Sequence, residues 1–242
     1  MHDIPEFELD RIGSAPHALS LNNLRHLSST KLSPIETDIP LSYAPSLGSV
    51  ELLKRLAEIY STETAPLTED NVIITPGSIM ANYLVLSTTC NKSDHVICQF
   101  PNYGPLYLLP KYFGAELEFW VAKEERSWNP DIEELKALIR PNTKAIILTN
   151  PCNPTGAVLS GEILEQIRDL SKKHNITIFG DEVFRPLFHN DTPTPPSVIS
   201  LGYDNTISTG SVSKAYALPG IRNGWIISPN KDILQRIIAA RD

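Results

Sequence analysis

Lys214 stands in a run unusual for a lysine: Ser208-Thr-Gly-Ser-Val-Ser-Lys-Ala-Tyr-Ala-Leu-Pro-Gly-Ile-Arg-Asn-Gly-Trp225. Surface lysines normally sit among other charges. This one is flanked by Ser211, Ser213, Ala215, Ala217 and Gly220, which leave room for something bulky and can donate hydrogen bonds. An amine held in a partly dry pocket has a lowered pKa and can attack a carbonyl carbon. Arg222, eight positions on, is placed to meet an anion.

Four further stretches could bring polar groups to the same place. Thr75-Pro76-Gly77-Ser78-Ile79-Met80 sets a glycine turn at the start of a helix, where free backbone N–H groups and the helix dipole attract an anion. An ordinary glycine-serine cap reads the same way. In Pro101-Asn102-Tyr103-Gly104-Pro105-Leu106-Tyr107 an aromatic at a strand end could stack on a planar ring, or could be a buried structural tyrosine. In Asn150-Pro151-Cys152-Asn153-Pro154-Thr155-Gly156 two prolines and a glycine fix the backbone that presents Asn153. Gly180-Asp181-Glu182-Val183 closes a strongly apolar strand, and an inward carboxylate there is costly unless a cation meets it. Glu182 falls on the opposite side by strand alternation and reads as structural.

In order and spacing these motifs resemble the class I/II aminotransferase group of fold type I pyridoxal-phosphate enzymes. Ser-x-Ser-Lys is matched at 211–214, Gly-x-Arg-x-Gly at 220–224 and Asn-Pro-Thr-Gly at 153–156, and the resemblance runs from roughly Tyr43 to the end. It implies pyridoxal 5'-phosphate as cofactor, with Lys214 as the catalytic lysine that holds it. It assigns the phosphate to Gly77, Ser78, the N–H of Ile79, Ser211 and Arg222, and the ring face to Tyr103. Asn153 would donate to the phenolic oxygen, and Asp181 would keep the ring nitrogen protonated. Tyr43, in Tyr43-Ala-Pro-Ser-Leu-Gly48, matches a tyrosine that reaches the phosphate of the neighbouring subunit's cofactor, which implies a homodimer. Phe184 departs from the pattern, because most members carry there a tyrosine that shares the phenolic oxygen with the asparagine.

The activity implied is that of an aminotransferase acting on an amino acid and a 2-oxo acid. The alternatives are a lyase or cyclising synthase on the same scaffold (carbon-sulfur lyase or aminocyclopropane-carboxylate synthase-like), or a non-catalytic cofactor-binding remnant. Family members continue into a small carboxy-terminal domain carrying the arginine for the substrate α-carboxylate. The expectation here is the large domain alone, binding cofactor but turning over amino acids poorly.

Positioning these groups requires strands that end where helices begin. β-branched or aromatic runs fall at 72–75, 95–100, 116–121, 145–149, 176–180, 206–209 and 225–228. Helical patterns fall between most of them. One covers Val50–Tyr60 with Leu52, Leu53, Leu56 and Ile59 inward; another covers Ile79–Thr89. Asn129-Pro130 opens a third, Ser160 a fourth, and Asn230 caps a fifth with Ile233, Leu234, Ile237 and Ile238 inward. The fold expected is α/β: a mostly parallel central sheet of about seven strands with helices on both faces, binding its ligand at the carboxyl ends of the strands. Residues 46–242 would form that cofactor-binding domain. Residues 1–45 would be an arm with one short helix around Leu21–Leu27, and Thr192–Pro196 a loop.

Composition bounds the rest. The 242 residues are 41% hydrophobic, enough for one large core. A formal net charge of -7 offers no general attraction to nucleic acid or an anionic membrane, so an anionic ligand needs a local basic pocket. Three cysteines, Cys90, Cys98 and Cys152, argue against a disulfide framework. The acidic first ten residues lack an apolar leader core and no run approaches a membrane span, so a soluble cytoplasmic protein is expected.

Overall fold

A computed structural model describes residues 45–185, 187 and 194–242. The expectations for the arm, for the helix near residues 21–27, for Tyr43 and for the first residues of the 192–196 loop lie outside these residues.

Seven strands form one sheet: β1 (Val72–Thr75), β2 (His95–Phe100), β3 (Glu116–Val121), β4 (Thr143–Thr149), β5 (Thr177–Asp181), β6 (Thr206–Ser211) and β7 (Gly224–Ile227). Their order is β1-β7-β6-β5-β4-β2-β3, and β7 alone runs antiparallel to its neighbours. Among the described residues six α-helices cover it: α1 (Val50–Tyr60), α2 (Ser78–Thr89), α3 (Gly104–Tyr112), α4 (Ile132–Leu138), α5 (Gly161–His174) and α6 (Lys231–Arg241). The α/β class and the mostly parallel seven-stranded sheet are as the sequence pattern requires.

Strand alternation sorts side chains between two cores. On β4, Ile146 and Leu148 face one layer with Leu53 and Leu56 of α1, Leu135 of α4, and Leu164 and Ile167 of α5. Ala145 and Ile147 face the other with Leu84 and Val85 of α2, Leu106 of α3, and Ile233 and Ile237 of α6. Both faces of the central strands are buried, which is why these strands read as unbroken apolar runs rather than alternating ones.

The structure corrects two local readings and adds one helix. The buried stripe of α1 is Leu53, Leu56, Ala57 and Tyr60, and Ile59 is exposed. That stripe follows the i, i+3, i+4, i+7 rule and lets the Trp225 indole N–H donate to the Tyr60 hydroxyl at 3.2 Å. The cap of α4 is Asp131, whose carboxylate accepts the Glu133 N–H at 2.8 Å, and not Asn129. Finally, residues 104–112 form a helix, although Pro105 and Pro110 argue against one in sequence. Pro105 lies in the first turn, where its missing N–H costs nothing.

Candidate active site

The carboxyl ends of β4, β5 and β6 are in register, so Thr149, Asp181 and Thr209 form one row across the sheet. A cavity of about 100 Å³ opens there, lined by Ser78, Tyr103, Thr149, Asn153, Asp181, Val183, Phe184 and Lys214. They arrive from five different strand ends. Ser78 begins α2 after β1, Tyr103 caps α3 after β2, Asn153 follows β4, Asp181 ends β5, and Lys214 lies three residues beyond β6. The structure therefore brings Ser78, Tyr103, Asn153, Asp181 and Lys214 together around one space.

Asp181 is buried, and its partners are neutral. Asn82 Nδ2 donates to Oδ2 at 2.8 Å and the Val183 N–H donates to Oδ1 at 3.1 Å. Burial pushes its carboxyl pKa up, and the two donors oppose that rise. Glu182 points to the other layer, where it accepts from Ser197 Oγ, Val198 N and Ser208 Oγ at 3.0, 2.7 and 2.9 Å. It stands 3.8 Å from Arg185 Nε, too far for a hydrogen bond, and Arg185 lies over the Tyr60 ring. This is the structural role that strand alternation assigns it.

Asn153 sits on a turn closed by two backbone bonds, Gly156 N–H to Cys152 O at 2.8 Å and Cys152 N–H to Ala157 O at 2.9 Å. Gly156 takes a φ of 71°, which favours glycine. Tyr103 is half-exposed, with its N–H held by Asn102 Oδ1 at 2.7 Å.

The start of α2 has no side-chain cap. Its cap, Gly77, supplies no side-chain acceptor, so the first N–H groups of the helix are free to bind a ligand. Gly77 has a φ of 83°, and a Cβ there would meet Arg222 Nη2 at 2.2 Å. A Cβ on Gly224 would strike the Gly77 carbonyl carbon at 2.4 Å. The two glycines thus let β7 and Arg222 close on the helix start. Arg222 Nη1 donates to Pro219 O at 2.9 Å, and Arg222 lines a second groove of about 630 Å³ with Met80, Tyr83 and Ile221. Ser211 is buried, and its Oγ accepts the Ser213 N–H at 3.2 Å, which shapes the loop leading to Lys214. Gly77, Ser211 and Arg222 do not line the small cavity, and Ile79 turns its side chain outward. Tyr43 is outside the described residues.

One expectation is corrected. The sequence reading places Lys214 in a partly dry pocket, whereas its side chain is exposed. The stretch after β6 leaves the sheet and exposes Tyr216, Ala217 and Pro219 as well. The Phe184 ring lies beside the amine, its centroid 6.0 Å from Nζ.

Sequence reasoning missed Asn82 and Thr209. Thr209 Oγ1 donates to Asn82 Oδ1 at 2.7 Å, and Asn82 is the donor to Asp181. The available signal was an asparagine within Ile79-Met-Ala-Asn-Tyr-Leu-Val-Leu86, an otherwise apolar helix.

The family model for aminotransferase class I and II matches residues 36–241. Human tyrosine aminotransferase is 31% identical over 186 residues, covering 76% of this chain and 41% of that protein. Capreomycidine synthase from Streptomyces vinaceus is 30% identical over 234 residues, covering 96% of this chain and 58% of that protein. Among solved structures, a PLP-dependent aminotransferase from Streptococcus suis superposes with a TM-score of 0.80 at 35% identity, covering 93% of this chain and 59% of that one. The chain spans about half the length of the curated relatives it matches. A match over nearly the whole chain, on a fold whose strand ends gather the same motifs, leaves one conclusion: the chain belongs to the class I and II aminotransferase family.

Proposed function

We propose that residues 46–242 are the cofactor-binding large domain of a pyridoxal-phosphate-dependent aminotransferase that acts on an amino acid and a 2-oxo acid. The observation that carries this reading is the meeting of Lys214, Asp181, Asn153 and Tyr103 around one cavity, beside a helix start that faces Arg222. The residues present fit the cofactor. Asp181 is a buried carboxylate whose hydrogen-bond partners among the described residues are neutral, so a protonated ring nitrogen supplies the cation it lacks. The uncapped N–H groups of α2, with Ser78, Ser211 and Arg222, suit a phosphate dianion.

When bound, pyridoxal phosphate supplies an electron sink for the charge that develops as a substrate Cα–H bond breaks. The protein's part is to bind, orient and move protons. Asp181 would hold the proton on the ring nitrogen, Asn153 would donate to the phenolic oxygen, and Tyr103 would cover one face of the ring. Lys214 would hold the cofactor through its amine, and Nζ, when free, would take the proton from substrate Cα and return it as general base and acid.

A homodimer follows from the same reading, with Tyr43 of the 1–45 arm reaching the partner's phosphate. The three cysteines, all free and buried, support a reducing compartment such as the cytoplasm. The similarity to capreomycidine synthase over 96% of this chain favours one second reading, a cyclising synthase or lyase on the same scaffold.

The test is to load the purified protein with pyridoxal phosphate, reduce with borohydride and map the adduct by mass spectrometry. The adduct is expected on Lys214, and Lys214→Ala should lose both adduct and visible band. An adduct on another lysine in the variant would falsify the assignment. Incubation with a panel of amino acids then separates the two readings: amino transfer to a 2-oxo acid supports the first, and release of a cyclised or eliminated product supports the second.

A further inference from the structure

Asn82 is a fully amidic side chain buried at 1% exposure inside an apolar helix, where burial of an amide is costly unless every group is matched. Its oxygen and its nitrogen each find a partner. The Thr209 hydroxyl donates to Asn82 Oδ1 at 2.7 Å, which leaves Nδ2 to donate to Asp181 Oδ2 at 2.8 Å. Thr209 and Asp181 are register partners on β6 and β5, so the sheet itself sets the spacing that Asn82 bridges from α2. The Val183 N–H takes the other carboxylate oxygen at 3.1 Å. Two fixed donors thus set the orientation of a carboxylate that also lines the cavity. An apolar residue at position 82 would serve the core at least as well as asparagine, so packing does not account for it.

We propose that Asn82, oriented by Thr209, is a positioning residue for Asp181: it holds the carboxylate charged and aimed at the ring nitrogen of the cofactor. This rests on the cofactor reading above and adds a residue pair to it. Without the amide, Oδ2 loses a donor in a buried setting, and the carboxylate is free to turn or to take up a proton. Either change weakens its bond to a protonated ring nitrogen and leaves the phosphate and ring-face contacts as they are.

The experiment compares pyridoxal phosphate with its 1-deaza analogue, in which the ring nitrogen is replaced by C–H, in titrations of the 242-residue protein followed by fluorescence. The native protein should prefer pyridoxal phosphate. Asn82→Leu should weaken pyridoxal phosphate roughly tenfold to hundredfold, the range for a hydrogen bond to a charged group, and the analogue by less than about threefold. Thr209→Val should show the same selective loss to a smaller degree, and Thr209→Ser should restore it. If Asn82→Leu fails to fold, Thr209→Val, which keeps the volume and leaves Asn82 in place, decides the matter. Equal losses for both cofactors would reduce Asn82 to a structural role and overturn the proposal. So would unchanged binding of pyridoxal phosphate in both variants. A native protein that forms no Lys214-dependent adduct would instead overturn the cofactor reading, and this inference with it.

Discussion

Phe184 lies beside Lys214, with its ring centroid 6.0 Å from Nζ, and it brings no hydroxyl to a cavity that otherwise holds several donors. On the proposed function, Asn153 is then left without the hydroxyl that would help it donate to the phenolic oxygen. A donor on that oxygen withdraws negative charge that would otherwise hold the neighbouring nitrogen's proton. Phe184→Tyr should therefore shift the titration of the bound cofactor's visible band to lower pH, by up to about one unit for a net hydrogen bond of ordinary strength. An unchanged or higher midpoint would show that the hydroxyl does not reach. The residues legible in sequence were those whose chemistry is written in a short motif, such as Lys214 or Asn153. Asn82 was not, because its meaning lies in partners 99 and 127 positions away, and nothing local separates it from a tolerated helix asparagine.

At the scale of elements, the start of α4 shows how a local rule can pick the wrong residue. Asn129-Pro130 looks like a cap followed by a first-turn proline, but the Asp131 carboxylate closes the helix start and also pairs with Arg126 at 2.5 Å. The Glu133 N–H foremost, then Arg126, holds the Asp131 carboxyl below its usual range. A carboxyl with a lowered folded-state pKa contributes stability that is present above its ordinary pKa and fades as pH falls through the folded value. Asp131→Ala should lower the melting temperature at neutral pH, and the difference from the native protein should shrink in acid below the ordinary carboxylate range. Asn129→Ala should leave it near the native value. The reverse ranking would restore the sequence reading. The helix α3 went unnamed in the sequence, and its Pro105 occupies the first turn.

Across the whole molecule, strand-helix alternation made the parallel sheet legible, while the reversal of β7 went unread. A signal was present: no α-helix separates β6 from β7, and a parallel crossover needs one or its equivalent. That reversal carries Arg222 back to the start of α2 and leaves Met80, Tyr83 and Ile221 exposed along the larger groove. An apolar surface of this kind beside the phosphate end of the site supports the proposed homodimer, in which a partner's Tyr43 completes the phosphate contacts. Shared sites make a prediction that a self-contained subunit does not. Tyr43→Phe and Lys214→Ala chains should each lack sites of native tightness when alone, the first through a lost bond to a charged group, roughly tenfold or more, and the second through its missing amine. Unfolded together and refolded, about half the dimers should be mixed, and each mixed dimer holds one site with both native residues. Titration with pyridoxal phosphate should then recover native affinity at about a quarter of all sites. Recovery of none would place Tyr43 in its own subunit's site or outside any site, and sedimentation of the native protein as a monomer would remove the shared site altogether.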